Sequence, residues 1–241
     1  MNEEFQIKEN GFNEIKKAII IRTIPITILA AGTGLVISHF NSNGESSDPL
    51  ALILTIIIAI GAIAFGLNKA IKRQKILFES YKLIINSKNI IREQKNTQTI
   101  SISHSEIKSI IRNSKGILTI LGSSKTEIIG IPSQIDDSEK LEQLLSQIHP
   151  ITDSDKKPLA EKYKGLLIIL ILGLMASVYI ATNKLIVGIT GTILILFLGY
   201  SFYEVRRNKN IDKKTKNVIW WLLLVLFSII GTMYFKLTGE I

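Results

Sequence analysis

The sequence predicts a membrane α-helical protein: five transmembrane helices plus a small cytosolic β-rich module that closes with a C-terminal helix. Three observations predict it. Apolar residues gather into five runs that carry almost no charge, the stretch 75–150 switches to short alternating segments, and Lys and Arg concentrate in alternate connectors. The chain has 241 residues, 46% hydrophobic and 20% charged, with 29 Lys plus Arg against 20 Asp plus Glu and a net charge of +9. It contains no cysteine, which excludes a disulfide-stapled domain, a Cys-ligated metal centre, a cysteine nucleophile and an acylated cysteine anchor.

The five runs are 18–40, 49–68, 165–182, 185–203 and 218–235. Each approaches the roughly 20 apolar residues that a helix needs to cross about 30 Å of hydrocarbon. A core helix of a soluble domain keeps a polar face, whereas these are apolar all round. Residues 1–17 are polar apart from Phe5, Ile7, Phe12 and Ile15 and read as a short tail on the membrane surface. The first run continues past Ala30 and Ala31 to Phe40, and Glu3, Glu4, Glu9 and Glu14 precede it. It therefore reads as a retained span, too long for a signal-peptide core.

Loop charge orients the spans, because Lys and Arg in short connectors stay on the cytoplasmic side. Lys8, Lys16, Lys17 and Arg22 precede or begin the first span, while the connector 41–48 holds Glu45 and Asp48 and no cation. Lys69, Lys72, Arg73 and Lys75 follow the second span, and Arg206, Arg207, Lys209, Lys213, Lys214 and Lys216 fill the connector between the fourth and fifth. With Asn183 and Lys184 turning outside, the N-terminus and the 75–150 module are expected in the cytoplasm and the C-terminus outside. Tyr200, Phe202, Tyr203, Trp220 and Trp221 mark the boundary beside the basic connector.

The module reads as a meander. Tyr81, Leu83 and Ile85 alternate with polar or outward positions, Ser87, Lys88 and Asn89 turn the chain, and Ile90 to Arg92 begin the next strand. Further strands are expected over 97–103, 107–112, 117–121 and 126–131, with a turn at 113–116. The period then changes. From Asp136, with Glu139 as a capping-box partner, Leu141, Leu144, Leu145 and Ile148 share one helical face, which His149 and Pro150 end. A polar linker, 151–164, contains Pro158 and leads to the helices of 165–235.

Ile100-Ser101-Ile102-Ser103-His104-Ser105-Glu106-Ile107 forms a strand-then-turn segment, and Ile131-Pro132 an apolar-Pro step ahead of the closing helix. On these residues the module resembles the bacterial PH-like domains of integral membrane proteins, such as the YcxB-like group. His104 stands where that family often has tryptophan, and the module is shorter than a full PH domain. The resemblance implies a bent β-sandwich or barrel capped by a helix, a bacterial inner-membrane location, and binding or scaffolding without catalytic residues.

The chain holds three histidines, His39, His104 and His149, far apart in sequence, and no phosphate loop, dinucleotide fingerprint, nucleophile elbow or H-E-x-x-H. No metal, cofactor or catalytic constellation is implied, so no enzyme is expected. Asp136 and Asp137 suit a helix N-terminus. No Asp, Glu or Lys sits mid-span to carry ions; Arg22 can snorkel from the start of the first span and Pro25 can kink it. Ala30 with Gly34, Ala62 with Gly66 and Gly173 with Ser177 place small residues one turn apart, which packing within the chain accounts for more readily than a homo-oligomer.

Arg206, Arg207, Lys209, Lys213, Lys214 and Lys216 are the candidate contacts to anionic lipid headgroups, besides setting topology. Nucleic acid is not an expected partner, since the cations flank spans and no aromatic stacking surface accompanies them. The expected function is a membrane protein that presents a PH-like binding or scaffolding module to the cytosol. The alternative is an accessory subunit of a membrane transport or export complex, partnered by other membrane proteins.

Overall fold

The computed structural model describes residues 2–41, 49–124, 126–154 and 162–239. The expected outward connector with Glu45 and Asp48, and linker residues 155–161 with Pro158, lie outside the described residues. The chain divides into two compact units. One comprises Met1–Ala18, Ile71–Lys157 and Val205–Asn217, the other Ile19–Ala70, Pro158–Glu204 and Val218–Ile241.

The first unit is built on two four-stranded sheets. One has the order β1 (Asn2–Gln6), β2 (Lys82–Asn86), β3 (Asn89–Glu93), β4 (Ile100–Ser103), all antiparallel. The other has the order β7 (Ile128–Ile131), β6 (Leu118–Leu121), β5 (Ser109–Arg112), β8 (Ile151–Asp153), with β8 parallel to β5. Alternation drives both. Leu83 and Ile85 on β2, Ile90 on β3 and Ile100 and Ile102 on β4 point into the same core as Ile110, Leu118, Ile120, Ile129 and Ile131. Helix α3 (Ser138–Ile148) closes that core with Leu141 and Leu145, the face that its 3.6-residue period specifies.

Several expectations change here. Residues 2–6, read as tail, form an edge strand paired with β2 from Asn2↔Asn86 to Gln6↔Lys82, and Phe5 is only 3% exposed. Phe12 is buried too and tilts against Phe78. The strand expected over 97–103 is confined to β4, because the Thr97 hydroxyl donates back to the Gln94 carbonyl at 2.9 Å and closes a turn. A 3₁₀ turn, His104–Glu106, follows β4 where the strand-then-turn segment places its turn, and the strand expected over 107–112 begins at Ser109. The Asp136/Glu139 capping box does not form. Asp137 adopts φ 46°, the helix starts at Ser138, and Asp136 is held elsewhere, its N–H donating to the Gln6 carbonyl at 2.8 Å. Residues 151–153, expected as linker, are strand β8.

The apolar runs are helices. They are α1 (Gly11–Asn41), α2 (Pro49–Glu79), α4 (Lys164–Ile180), α5 (Lys184–Arg207) and α7 (Trp221–Thr238), with a short α6 (Lys213–Val218) before the last. Among the described residues four stretches are long and apolar enough to cross a membrane: Gly11–Phe40, Ile53–Glu79, Lys184–Arg207 and Lys213–Thr238. Helix α4 is apolar but has 17 residues, below the other four. Pro25 lies inside α1, which continues through it.

In the second unit α4, α5 and α7 pack around Val178, Leu194, Leu198 and Ile229. The Lys236 ammonium on α7 donates to three carbonyls at the end of α4, those of Val178, Tyr179 and Ala181, at 3.2, 2.7 and 3.0 Å. The Tyr179 and Ser228 hydroxyls meet at 2.7 Å. Gly191, near the start of α5, lies against Met233 near the end of α7. Helices α4 and α7 thus run parallel and α5 antiparallel to both. Along α1 and α2 large apolar side chains, including Ile28, Ile58 and Phe65, are more than half exposed, as expected of surfaces solvated by lipid.

Candidate functional site

The candidate basic residues lie on one short connector. Arg206 and Arg207 end α5, Lys209 follows in a turn, and Lys213, Lys214 and Lys216 belong to α6. Arg206, Arg207, Lys213 and Lys214 are exposed; Lys209 and Lys216 are half-buried. This connector belongs to the sheet unit, and it is fastened there through Asn210 and Asp212, which the charge pattern did not single out.

Asp212 is the centre of that fastening. It is 6% exposed and ion-pairs with Arg73 from the last part of α2. Its carboxylate also accepts from the Lys214 and Thr215 backbone N–H groups at 3.0 and 3.1 Å and from the Thr215 hydroxyl at 2.7 Å. Arg73 donates in addition to the Thr215 oxygen at 2.6 Å. Burial alone pushes the Asp212 carboxyl up, but the Thr215 hydroxyl, the Arg73 guanidinium and the Thr215 backbone N–H outweigh it and hold the group below the ordinary carboxylate value. On either side of it, the Asn210 amide nitrogen donates to the Ile128 carbonyl at 3.1 Å, and the Lys213 N–H donates to the Asn96 carbonyl at 2.8 Å.

Arg92 receives the other side of Asn210. It stands on β3 at the inward register position beside Leu83 and Ile100, where the alternation from Ile90 calls for an apolar residue, and it is 2% exposed. Its guanidinium donates to Gln94 Oε1 at 3.1 Å, Thr97 Oγ1 at 3.0 Å, the Gln98 carbonyl at 3.3 Å and Asn210 Oδ1 at 3.0 Å. Every one of these acceptors is neutral. The buried Nε has no hydrogen-bond partner among the described residues. Burial lowers the guanidinium pKa, with the neighbouring Tyr81 a lesser, opposing influence. Tyr81 is buried with its hydroxyl donating to the Gly130 carbonyl at 2.9 Å, and burial raises its own pKa.

A cleft of about 330 Å³ opens at this place, lined by Phe78, Tyr81, Arg92, Ile128, Pro132 and Asn210 among others. The lining combines the polar Arg92, Gln94 and Asn210 with the apolar Phe78, Ile128 and Pro132. A different hollow lies beside Arg112, but that cation is already matched: it pairs with Asp153 through two hydrogen bonds of 2.7 and 3.1 Å and with Glu142 at 2.8 Å. These bonds tie β8 and α3 to β5.

No group of three His, Cys, Asp or Glu side chains suited to a metal occurs among the described residues. The small-residue pairs are not used as expected: a Cβ at Gly34, Gly66 or Gly173 would meet nothing within 4 Å, and the close helix approach falls at Gly191 instead. Sequence reasoning passed over Arg92, Asn210 and Asp212. The signal for Arg92 was present in the Ile90/Arg92 alternation, whereas nothing local marks Asn210 or Asp212 as more than turn residues. No protein-family model, curated protein or solved structure matches the chain.

Proposed function

We propose that the chain is a five-span membrane protein that holds a PH-like module in the cytosol as a binding or scaffolding platform. The single observation that carries this reading is the composition of the sheet unit. It is assembled from 1–18, 71–157 and 205–217, the three segments that loop charge assigns to one side of the membrane.

Segments that fold together must share a side, so an even number of crossings separates each from the next. Helices α1 and α2 supply two between the first and second segments. Between the second and third, α5 is long enough to cross, and parity requires α4 to cross with it. At about 1.5 Å per residue its 17 residues reach roughly 25 Å, the short end of the spanning range. Its parallel packing beside α7 supports the same count. The last helix then leaves the C-terminus outside. Two four-stranded sheets closed by α3 around one core support the PH-like reading, with β1 reached across a helical hairpin.

In this reading Arg206, Arg207, Lys213 and Lys214 retain the connector in the cytoplasm and meet anionic headgroups. Purification in mild detergent followed by identification of bound components tests the scaffolding function. Stoichiometric recovery of soluble proteins lost on deleting β8 and α3 is expected, whereas recovery of transporter subunits alone would replace it with an accessory role.

A further inference from the structure

We propose that the cleft floored by Tyr81 and Arg92 is a binding site for an amphiphilic oxoanion, a phosphate ester or carboxylate carried on a small apolar body. Removing a cation from water is costly unless a counter-ion restores the lost solvation, and arginine cannot escape the cost by losing its proton. Two arginines of the same unit, Arg73 and Arg112, have carboxylates, from Asp212 and from Asp153 with Glu142. Arg92 has four neutral oxygens and an Nε without a hydrogen-bond partner among the described residues. Its charge is therefore held but not neutralised.

That charge lines a cleft of about 330 Å³, large enough for a phenyl or short acyl group with one anionic head. Asn210 and Gln94 add amide groups beside the guanidinium, while Phe78, Ile128 and Pro132 line the remainder. An incoming oxoanion competes for the Arg92 N–H groups with Asn210 Oδ1, the only acceptor contributed by the 205–217 connector, so occupancy would also loosen that tie. The inference deepens the binding role proposed above and rests on it, but it does not depend on the number of spans.

The test uses the full chain in phosphatidylcholine nanodiscs, titrated with phenyl phosphate and, as the uncharged counterpart, benzyl alcohol. Saturable binding of phenyl phosphate with a rise in the thermal midpoint, and neither effect with benzyl alcohol, is expected. Arg92→Gln should weaken binding at least about tenfold, which is about 1.4 kcal/mol, and Arg92→Lys should weaken it less. Because Arg92→Gln removes a residue that also pins the 94–98 turn, Gly130→Leu serves as the second variant. Gly130 lines the cleft and a Cβ there meets nothing within 4 Å, so the substitution adds bulk at the cleft while Arg92 itself is retained.

Gly130→Leu should fold, melt near the parent temperature and lose phenyl phosphate binding. Competition by phosphatidic acid in the same discs would point to a lipid headgroup as the source of the oxoanion, and its failure to compete to a soluble ester. Absence of saturable binding to the parent protein, or binding to Gly130→Leu and Arg92→Gln as tight as to the parent, would overturn the site while leaving the membrane-anchored module standing.

Discussion

Arg73 and Asp212, 139 residues apart in the chain, form an ion pair that binds the end of α2 to the turn ahead of α6. Breaking a buried pair by removing one partner leaves the other charge stranded and typically costs 3–5 kcal/mol. Arg73 is 32% exposed, so water recovers part of that loss. Asp212→Ala is expected to destabilise the sheet unit by about 2 kcal/mol, read as a lower chemical-denaturation midpoint of the purified chain.

The same carboxylate gives a pH signature. Its folded-state pKa lies below the ordinary value of 3.8, so its contribution is complete above that value and is lost as pH falls through the folded pKa. Thermal midpoints measured from pH 6 downward should fall more steeply below about pH 4 in the parent than in Asp212→Asn. Parallel curves would show that the pair contributes nothing.

Phe5→Ala removes a fully packed aromatic from β1 and should cost about 3 kcal/mol. A merely polar tail would tolerate the change within about 0.5 kcal/mol. Circular dichroism melts of the detergent-solubilised protein distinguish the two.

Period and charge made much of the architecture legible. The 3.6-residue face of Leu141 and Leu145, the alternation of Leu83 with Ile85, and the five apolar runs each report on a neighbourhood of a few residues, and they appear as helix α3, strand β2 and five apolar helices, with four stretches among the described residues long and apolar enough to cross a membrane. Strand β1 escaped because its partner, β2, lies beyond the two intervening helices α1 and α2, and a five-residue strand carries too little pattern to declare itself against that separation. Asp212 and Asn210 escaped for another reason. A connector fastened by hydrogen bonds has no periodicity, and its abundant Lys and Arg drew the reading toward lipid. Arg92 was partly legible, since its register follows from Ile90, but a cation at an inward position is what alternation alone gives no reason to expect.

Lys236 caps the end of α4 with three hydrogen bonds to carbonyls that the helix cannot satisfy itself. Lys236→Met keeps the stem and removes the donors. A loss of about 1.5–3 kcal/mol in the stability of the helical unit is expected, measured by thermal aggregation in detergent, and Lys236→Arg should recover part of it.

At Gly191 an added methyl group would fall on the Met233 thioether. Gly191→Leu should therefore cost about 1–3 kcal/mol by overpacking, and the double variant Gly191→Ala, Met233→Ala should be closer to the parent than Gly191→Leu. The same substitution at Gly34, where a Cβ has open space, should be nearly neutral within the monomer.

The absence of cysteine permits the most direct test of the five-span account, by single introduced thiols and a membrane-impermeant maleimide applied to intact cells. Asn183→Cys, between α4 and α5, decides whether α4 crosses, with Ser114→Cys between β5 and β6 as the reference for the module. The account predicts labelling of Cys at position 183 from outside and of Cys at position 114 only after permeabilisation. Protection of position 183 in intact cells together with labelling after permeabilisation, or labelling of position 114 from outside, would contradict it.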